Sequence, residues 1–366
     1  MKRRSSTRRG ITYAVVLAVV LAVVLAACGD DPKTADTKPG GGTGGPVTVT
    51  LVTHDSFAVS KKVLQDFERD SGITVKVLKS GDAGVALNQV ILTKDHPLGD
   101  VFFGVDNTLL SRAEDSDVFT PTHPAALDDV SGDLRLDPEN RLVPVDYGDV
   151  CVNYDRAWFA AKHLAVPTSL DDLTKPAYKG LLVTENADTS SPGLAFLLAT
   201  VAHYGPDRYL DYWEKLKDNG VRVVDGWEEA YNTEFSGSAG KGPRPLVVSY
   251  GSSPPAEVIY ADPKPAAAPT GVIADTCFRQ VEFAGVLKGT GHPDAAAEVV
   301  AFLLSRPFQA DVPRQMFVYP AVSGTPLPEE FTKYAVIPKH PASLPPGDIA
   351  AHRDRWVDDW NTTVLG

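Results

Sequence analysis

The chain lacks the spacings on which most recognisable chemistry rests. Its eight histidines are scattered without metal-ligand spacing. It has no Gly-Lys-Ser phosphate loop and no Gly-x-Ser-x-Gly elbow. Its Asp-Asp and Glu-Glu pairs read as solvated faces. Positive charge is also short: 35 basic residues face 47 acidic ones. An acidic protein is a poor match for nucleic acid or for anionic lipid surfaces, so neither is an expected partner. There is no internal repeat, and only one long apolar run, so no further transmembrane helix is expected. Three cysteines are present in 366 residues.

What is present begins at the N-terminus. Lys2, Arg3, Arg4, Arg8 and Arg9 form a positive region, followed by an apolar stretch over 11–27 that is short for a bilayer span. Leu25 and the small residues Ala26 and Ala27 precede Cys28. This resembles the lipobox of bacterial lipoproteins, which implies cleavage before Cys28 and a diacylglycerol on its thiol. The alternative is an ordinary cleaved signal peptide with Cys28 incidental. Two acyl chains give a stable anchor where one is marginal. Cleavage would leave 30 basic against 47 acidic residues, net −17. The anchor would therefore be the lipid and not charge. Residues 29–46, rich in Gly, Asp, Lys, Thr and Pro without apolar period, read as a flexible tether with a reach of about 20–25 Å.

The remaining length is too great for one small core and suggests two lobes. Residues 47–53 alternate and are β-branched, which predicts a strand. Helical spacing over 60–70, a strand over 73–78, a helix over 85–92 and a short strand over 101–103 ending at Gly104 follow. That alternation is the pattern of a parallel sheet with crossover helices. A second group has a strand at 181–184, helices at 192–204 and 209–216, and strands at 221–224 and 246–250. Extended segments over 142–154 and 276–284 each hold a cysteine, Cys151 and Cys277. They are placed to pass between the groups. The two cysteines are either a disulfide in an oxidising compartment or two separate buried thiols. Helices at 294–304 and 350–364 close the chain, the last with Trp356 and Trp360 one turn apart. The expected architecture is α/β and two-lobed. Residues 47–147 with 283–366 form one lobe, 148–282 form the other with the hinge segments, and a ligand cleft lies between them.

Eight segments in order carry a resemblance: Thr53-His-Asp-Ser-Phe57, Gly104-Val-Asp-Asn107, Val145-Asp-Tyr-Gly148, Thr189-Ser-Ser-Pro-Gly-Leu194, Gly226-Trp-Glu-Glu-Ala-Tyr231, Val248-Ser-Tyr250, Gln280-Val-Glu282 and Tyr319-Pro-Ala321. Together they are similar to the thiamine-binding proteins of bacterial thiamine ABC importers. The similarity runs from about Val47 to the C-terminal helix. It implies a type II periplasmic-binding-protein fold with a two-segment hinge. It also implies capture of thiamine or a thiamine phosphate, delivery to a permease driven by an ATPase, no enzymatic step, no cofactor and no metal. The expected form is a monomer, lipid-anchored on the outer face of the cytoplasmic membrane.

The resemblance also implies site residues. Trp227 matches the family's stacking tryptophan, and a cation over an aromatic face gains about 0.5–2 kcal/mol. Asp82, with Ala83 beside it, matches a carboxylate at the ligand. Ser190 and Ser191 match a polar pair at a helix start, where open N–H groups suit a phosphate. Tyr250 with Gly251, Ser252 and Ser253 matches a ligand-touching segment. On residues alone the same positions read as a core tryptophan, a turn aspartate, a plain helix cap and a strand-end tyrosine. Two positions depart from the family: its first-segment tyrosine is His54 here, and its tryptophan before Tyr-Pro is Phe317. The loop after Phe57 is shorter and lacks a tryptophan. These departures imply a thinner aromatic cage.

The alternative from another class is a thiamine-cleaving enzyme of the same fold, which would need Cys151 or Cys277 as a free thiolate beside a base. A ferric-ion receptor would need neighbouring tyrosines, and Tyr250 is followed by Gly251.

Overall fold

The computed structural model describes residues 47–366. The leader, Cys28 and the tether over 29–46 lie outside the described residues. Ten strands form one hydrogen-bonded sheet: β1 (Val47–Thr53), β2 (Ile73–Lys79), β3 (Val101–Asp106), β4 (Phe119–Thr120), β5 (Val143–Asp155), β6 (Leu182–Glu185), β7 (Arg222–Val224), β8 (Leu246–Tyr250), β9 (Thr270–Leu287) and β10 (Tyr319–Pro320). Their main order is β2-β1-β3-β9-β5-β8-β6-β7. At one end β2, β1 and β3 are parallel. At the other β8, β6 and β7 are parallel. Between them the long strands β5 and β9 run antiparallel.

The first group follows from local pattern. The helix Lys61–Ser71 is capped by Ser60, whose Oγ accepts from the Val63 N–H at 3.5 Å. The helix Ala83–Leu92 starts at Asp82 and buries Ala86, Leu87 and Val90 against the sheet. All six residues of β3 are buried, as a continuous apolar run requires in a parallel sheet covered on both faces. The strand does not end at Gly104 as its sequence suggests. The ladder with β9 shifts there and resumes through Val105 to Asp106. That extension carries a buried aspartate to the carboxyl end of the sheet.

The two parallel groups grip opposite ends of the β5–β9 ribbon. β3 pairs with 282–286 of β9, whereas β8 pairs with 150–154 of β5. The ribbon itself shifts register between Val150 and Val152. At that point Cys151 and Cys277 are joined in a disulfide, with Cα atoms 4.2 Å apart. A third segment lies alongside the ribbon. Val336 N–H donates to the Gly251 carbonyl at 2.8 Å, and Ala342 N–H to the Cys277 carbonyl at 2.7 Å. The long strands β5 and β9 are the two connecting segments, and this loop packs beside them.

The C-terminal helix spans Pro346–Trp360 and ends in one wide turn, Asn361–Leu365. Trp360 meets Trp213 edge-on with ring centres 5.4 Å apart. Lys217 Nζ donates to the Thr363 carbonyl at 2.7 Å. The terminal segment packs on the helix Tyr209–Asp218 of the second group, and the helix Pro346–Trp360 also packs on Leu110–Asp115 of the first. Trp360 is fully buried, and Trp213 supplies the large apolar face that it packs against. The helix Arg306–Gln315 escapes sequence reading because Pro313 interrupts its pattern.

Candidate functional site

The carboxyl ends of the two parallel groups face each other across a cavity of about 390 Å³. Ligands in open α/β sheets bind at these ends. The groups touch at the cavity's edge. Trp227 N–H donates to Asp82 Oδ2 at 2.9 Å, and Gly84 N–H donates to the Thr189 carbonyl at 3.0 Å. Both contacts need glycine for close approach. A Cβ on Gly226 would lie 2.8 Å from Asp82 Oδ2, and one on Gly84 would lie 2.7 Å from the Asp188 carbonyl oxygen.

Trp227 stands at the start of a short helix, Trp227–Glu229, and borders the cavity. Tyr231, one turn on, stacks against it with centres 4.9 Å apart and planes 12° from parallel. The indole N–H donates to Ser249 Oγ at 2.9 Å. Ser249 in turn shares a 2.8 Å hydrogen bond with Ser253 Oγ, and Tyr250 N–H donates to Ser253 at 3.1 Å. Tyr231 hydroxyl donates to Glu257 Oε1 at 3.0 Å. The indole plane is thus fixed by a stack and by its N–H together. Beneath it Val183, Val224, Ala230, Phe235 and Val247 form a small separate core.

Tyr250 lies over Gly148 of β5, where a Cβ would come within 2.9 Å of its ring. Phe317 reaches the cavity from the turn after the helix Arg306–Gln315 with φ +58°, a left-handed backbone that a bulky side chain seldom adopts. Strain of this kind concentrates at functional sites.

The electrostatics are one-sided. Asp55, Asp82, Glu228, Glu257 and Glu282 border the cavity against Lys79 and His54. His54 Nδ1 accepts from the Ser56 N–H at 3.1 Å, so its proton sits on Nε2, 3.0 Å from Glu282 Oε1. Burial acts to lower the His54 pKa, but Glu282 beside it and Asp82 outweigh burial and raise it above the ordinary value. Burial pushes the Asp82 carboxyl up, offset in part by the Trp227 N–H and by His54. Behind it, Asp146 is pushed well up by burial and then by Glu282. Glu185 is pushed well up by burial, and both its oxygens lack a hydrogen-bond partner. Asp106 is pushed up to about 7, chiefly by burial. Carboxylates gathered in low dielectric without matching cations favour a positively charged occupant.

The structure brings His54, Asp82, Ser191, Trp227, Tyr250, Ser253 and Phe317 to the cavity wall. Ala83, Ser190, Gly251 and Ser252 stand behind it. Ala83 packs in the core, and Ser190 and Ser252 are buried. Gly251 is held between strands, its N–H donating to the Asp149 carbonyl at 2.8 Å. Sequence reasoning passed over Tyr231, Glu257, Glu282 and the 315–316 segment. The i, i+4 spacing of Trp227 and Tyr231 on a helix could have found the first. Glu257 carries no local signal, and Glu282 lies in the quoted segment Gln280-Val-Glu282 without standing out there, since only the fold brings them to Tyr231 and His54. Among the described residues no cluster of His, Cys, Asp or Glu has the arrangement of a metal site.

Residues 96–339 match the family described as bacterial extracellular solute-binding protein. The chain is 30% identical over 321 residues to a thiamine-binding periplasmic protein of Escherichia coli (strain K12), covering 86% of this chain and 93% of that one. It is 30% identical over 329 residues to a thiamine-binding periplasmic protein of Brucella suis, covering 86% and 91%. A solved periplasmic thiamin binding protein superposes with a TM-score of 0.75 at 28% identity, over 87% of this chain and 96% of that one. The two-lobed architecture is that of type II periplasmic binding proteins.

Proposed function

The chain belongs to the bacterial extracellular solute-binding proteins, and from that premise we propose that its cleft captures thiamine and delivers it to an ABC permease and its ATPase. The observation that carries this is the cavity wall: a fixed indole at Trp227 among carboxylates in excess. Thiamine offers what such a wall recognises, a flat aminopyrimidine joined to a permanently charged thiazolium. The charge excess favours thiamine over its phosphates, which add negative charge beside Asp82 and Glu282. The helix Ser191–Tyr204 opens on the cavity, but Pro192 removes one of its first N–H groups.

Capture without catalysis is the reading for this cleft. A thiamine-cleaving route of the kind considered above needs a cysteine thiolate, and Cys151 and Cys277 are bound to each other and buried. Lipid attachment at Cys28 and the tether over 29–46 fit a monomeric receptor held outside the cytoplasmic membrane near its permease. Lobe boundaries near 147 and 283 belong to the same proposal, and the terminal helix touches both groups.

The test is thermal unfolding with thiamine, thiamine monophosphate, thiamine pyrophosphate and hydroxymethylpyrimidine. A ligand at 100 times its Kd stabilises the folded state by about 2.7 kcal/mol. Stabilisation by thiamine with no product formed supports the proposal. No shift with any of the four removes it.

A further inference from the structure

Gln280 faces the cleft side of β9 and uses its side-chain amide twice. Nε2 donates to Asp106 Oδ2 at 2.5 Å and to Ser191 Oγ at 3.0 Å. Asp106 ends β3 in the first parallel group, and Ser191 opens the helix Ser191–Tyr204 of the second. All three side chains are buried. Among the segments singled out in the sequence, 104–107, 189–194 and 280–282 meet at this point. Of these three residues only Ser191 reaches the cavity wall.

We propose that Asp106, Gln280 and Ser191 form a clasp between the lobes, in which Gln280 is a positioning residue that holds Ser191 at the cavity wall and ties closure to uptake of a proton. The proposal rests on the reading that this cleft closes on its ligand. Asp106 Oδ1 is committed to its own lobe: it accepts from Thr108 N–H at 3.1 Å, from Thr108 hydroxyl at 2.6 Å and from Leu109 N–H at 3.2 Å. Oδ2 accepts from Gln280. Separating the lobes draws Ser191 away from Gln280 and admits water to Oδ2.

The proton follows from that change of surroundings. In the closed form burial, with the Glu282 charge added, lifts Asp106 to about 7 against the donated bonds from Thr108 and Gln280. The charged and titratable groups that face it are Glu282 from β9, Tyr250 from β8 and Arg353 from the C-terminal helix. Wetted, the same carboxyl returns toward 3.8. The closed form therefore holds a proton that the open form has lost. Closure is favoured in full below about 4, weakens as pH rises toward about 7, and levels off above it. The clasp accommodates either state. An ionised Asp106 accepts from the amide N–H; a protonated Asp106 donates to the amide oxygen once the amide turns over, and the Ser191 hydroxyl serves as donor or acceptor.

The experiment compares the protein with its Gln280→Leu, Gln280→Asn and Asp106→Asn variants in two readouts. The first is the radius of gyration of the free protein from pH 4.5 to 8.5, which reports closure without any ligand. The second is thiamine affinity over the same range. Asn cannot reach both partners across the missing methylene, so it repeats the Leu test should Leu disturb folding. Expected are a larger radius for both Gln280 variants and affinity lower by roughly 10-fold to 100-fold. Asp106→Asn should flatten the fall of affinity with pH, because an amide mimics the protonated acid. Gln280 variants with the radius and affinity of the parent, or an Asp106→Asn profile parallel to the parent's, would overturn the clasp. Failure of the parent to bind thiamine would count against the ligand assignment, while the radius still decides the clasp.

Discussion

Trp227 and Asp82 are joined across the cleft: the backbone N–H of one donates to the carboxylate of the other at 2.9 Å. The residue that offers an aromatic face and the residue that offers a charge are thereby brought together only when the lobes meet. Gly226 makes the contact possible, since a Cβ there would press on Asp82 Oδ2. Gly226→Ala should therefore weaken thiamine binding by about tenfold or more while leaving the unfolding temperature of the free protein nearly unchanged. Calorimetric titration beside a thermal melt checks both halves. Equal affinity in the variant would mean that the contact plays no part in capture.

Truncating the indole should cost more than narrowing it. Trp227→Ala removes the cavity's fixed aromatic face and is expected to cost about 1–3 kcal/mol of binding, roughly 10-fold to 100-fold. Trp227→Phe keeps a ring but loses the bond to Ser249, so it should fall between the two. Tyr231→Ala should weaken binding as well, by unfixing the indole, although a direct role for its ring predicts the larger loss. Fluorescence titration of the three variants orders them.

Much of this fold was legible in the sequence, because both parallel groups are built from strongly periodic segments. The strands at 47–53 and 246–250 and the helices at 192–204 and 294–304 were readable from local pattern, and the structure places elements there. The misses have physical causes. β3 runs past Gly104 because its ladder absorbs an irregularity that no local pattern announces. β9 begins at Thr270, well before its readable core, because pairing with β5 holds residues of mixed character extended. At the site, the residues read from resemblance split by depth. Asp82 and Ser191 face the cavity, while their neighbours Ala83 and Ser190 turn inward. Adjacent positions at a helix start point in different directions, and a sequence match cannot say which is which. The burial of Asp106, Asp146 and Glu185 was not readable for another reason: each is an ordinary residue in its strand until the fold covers it.

Those acids set the pH dependence of stability. Asp106, Asp146 and Glu185 all titrate higher in the folded protein than in an open chain. The folded state then binds more protons than the unfolded one, so stability falls as pH rises through the interval from about 4 toward 7 and beyond. His54, also raised, acts in the same direction. The free protein should melt at a higher temperature at pH 5 than at pH 8. Glu185→Gln should recover part of the difference at pH 8. A melting temperature that rises from pH 5 to pH 8 would contradict the assignment of these groups.

The disulfide closes a sequence separation of 126 residues at the register shift of the ribbon. The chain-entropy estimate for a loop of that length is about 4–5 kcal/mol. A double Cys151→Ala, Cys277→Ala variant should lose stability of about that size in chemical denaturation. It should bind thiamine with unchanged affinity where it is folded, because neither sulfur reaches the cavity wall. Loss of binding in a folded variant would move the bridge from scaffold to site.

Added phosphate tests the charge argument. With five carboxylates against Lys79 and His54 at the wall, affinity should fall from thiamine to its monophosphate and again to its pyrophosphate. Pyrophosphate binding more tightly than thiamine would show that the helix start at Ser191 outweighs the acids.

The central claim is that this cleft is built for thiamine, and calorimetric titration of the protein with thiamine tests it most directly. The account predicts saturable binding at one site, with affinity reduced by Trp227→Ala and by Asp82→Ala. Absence of heat and of thermal stabilisation at millimolar thiamine, in protein shown to be folded, would contradict it.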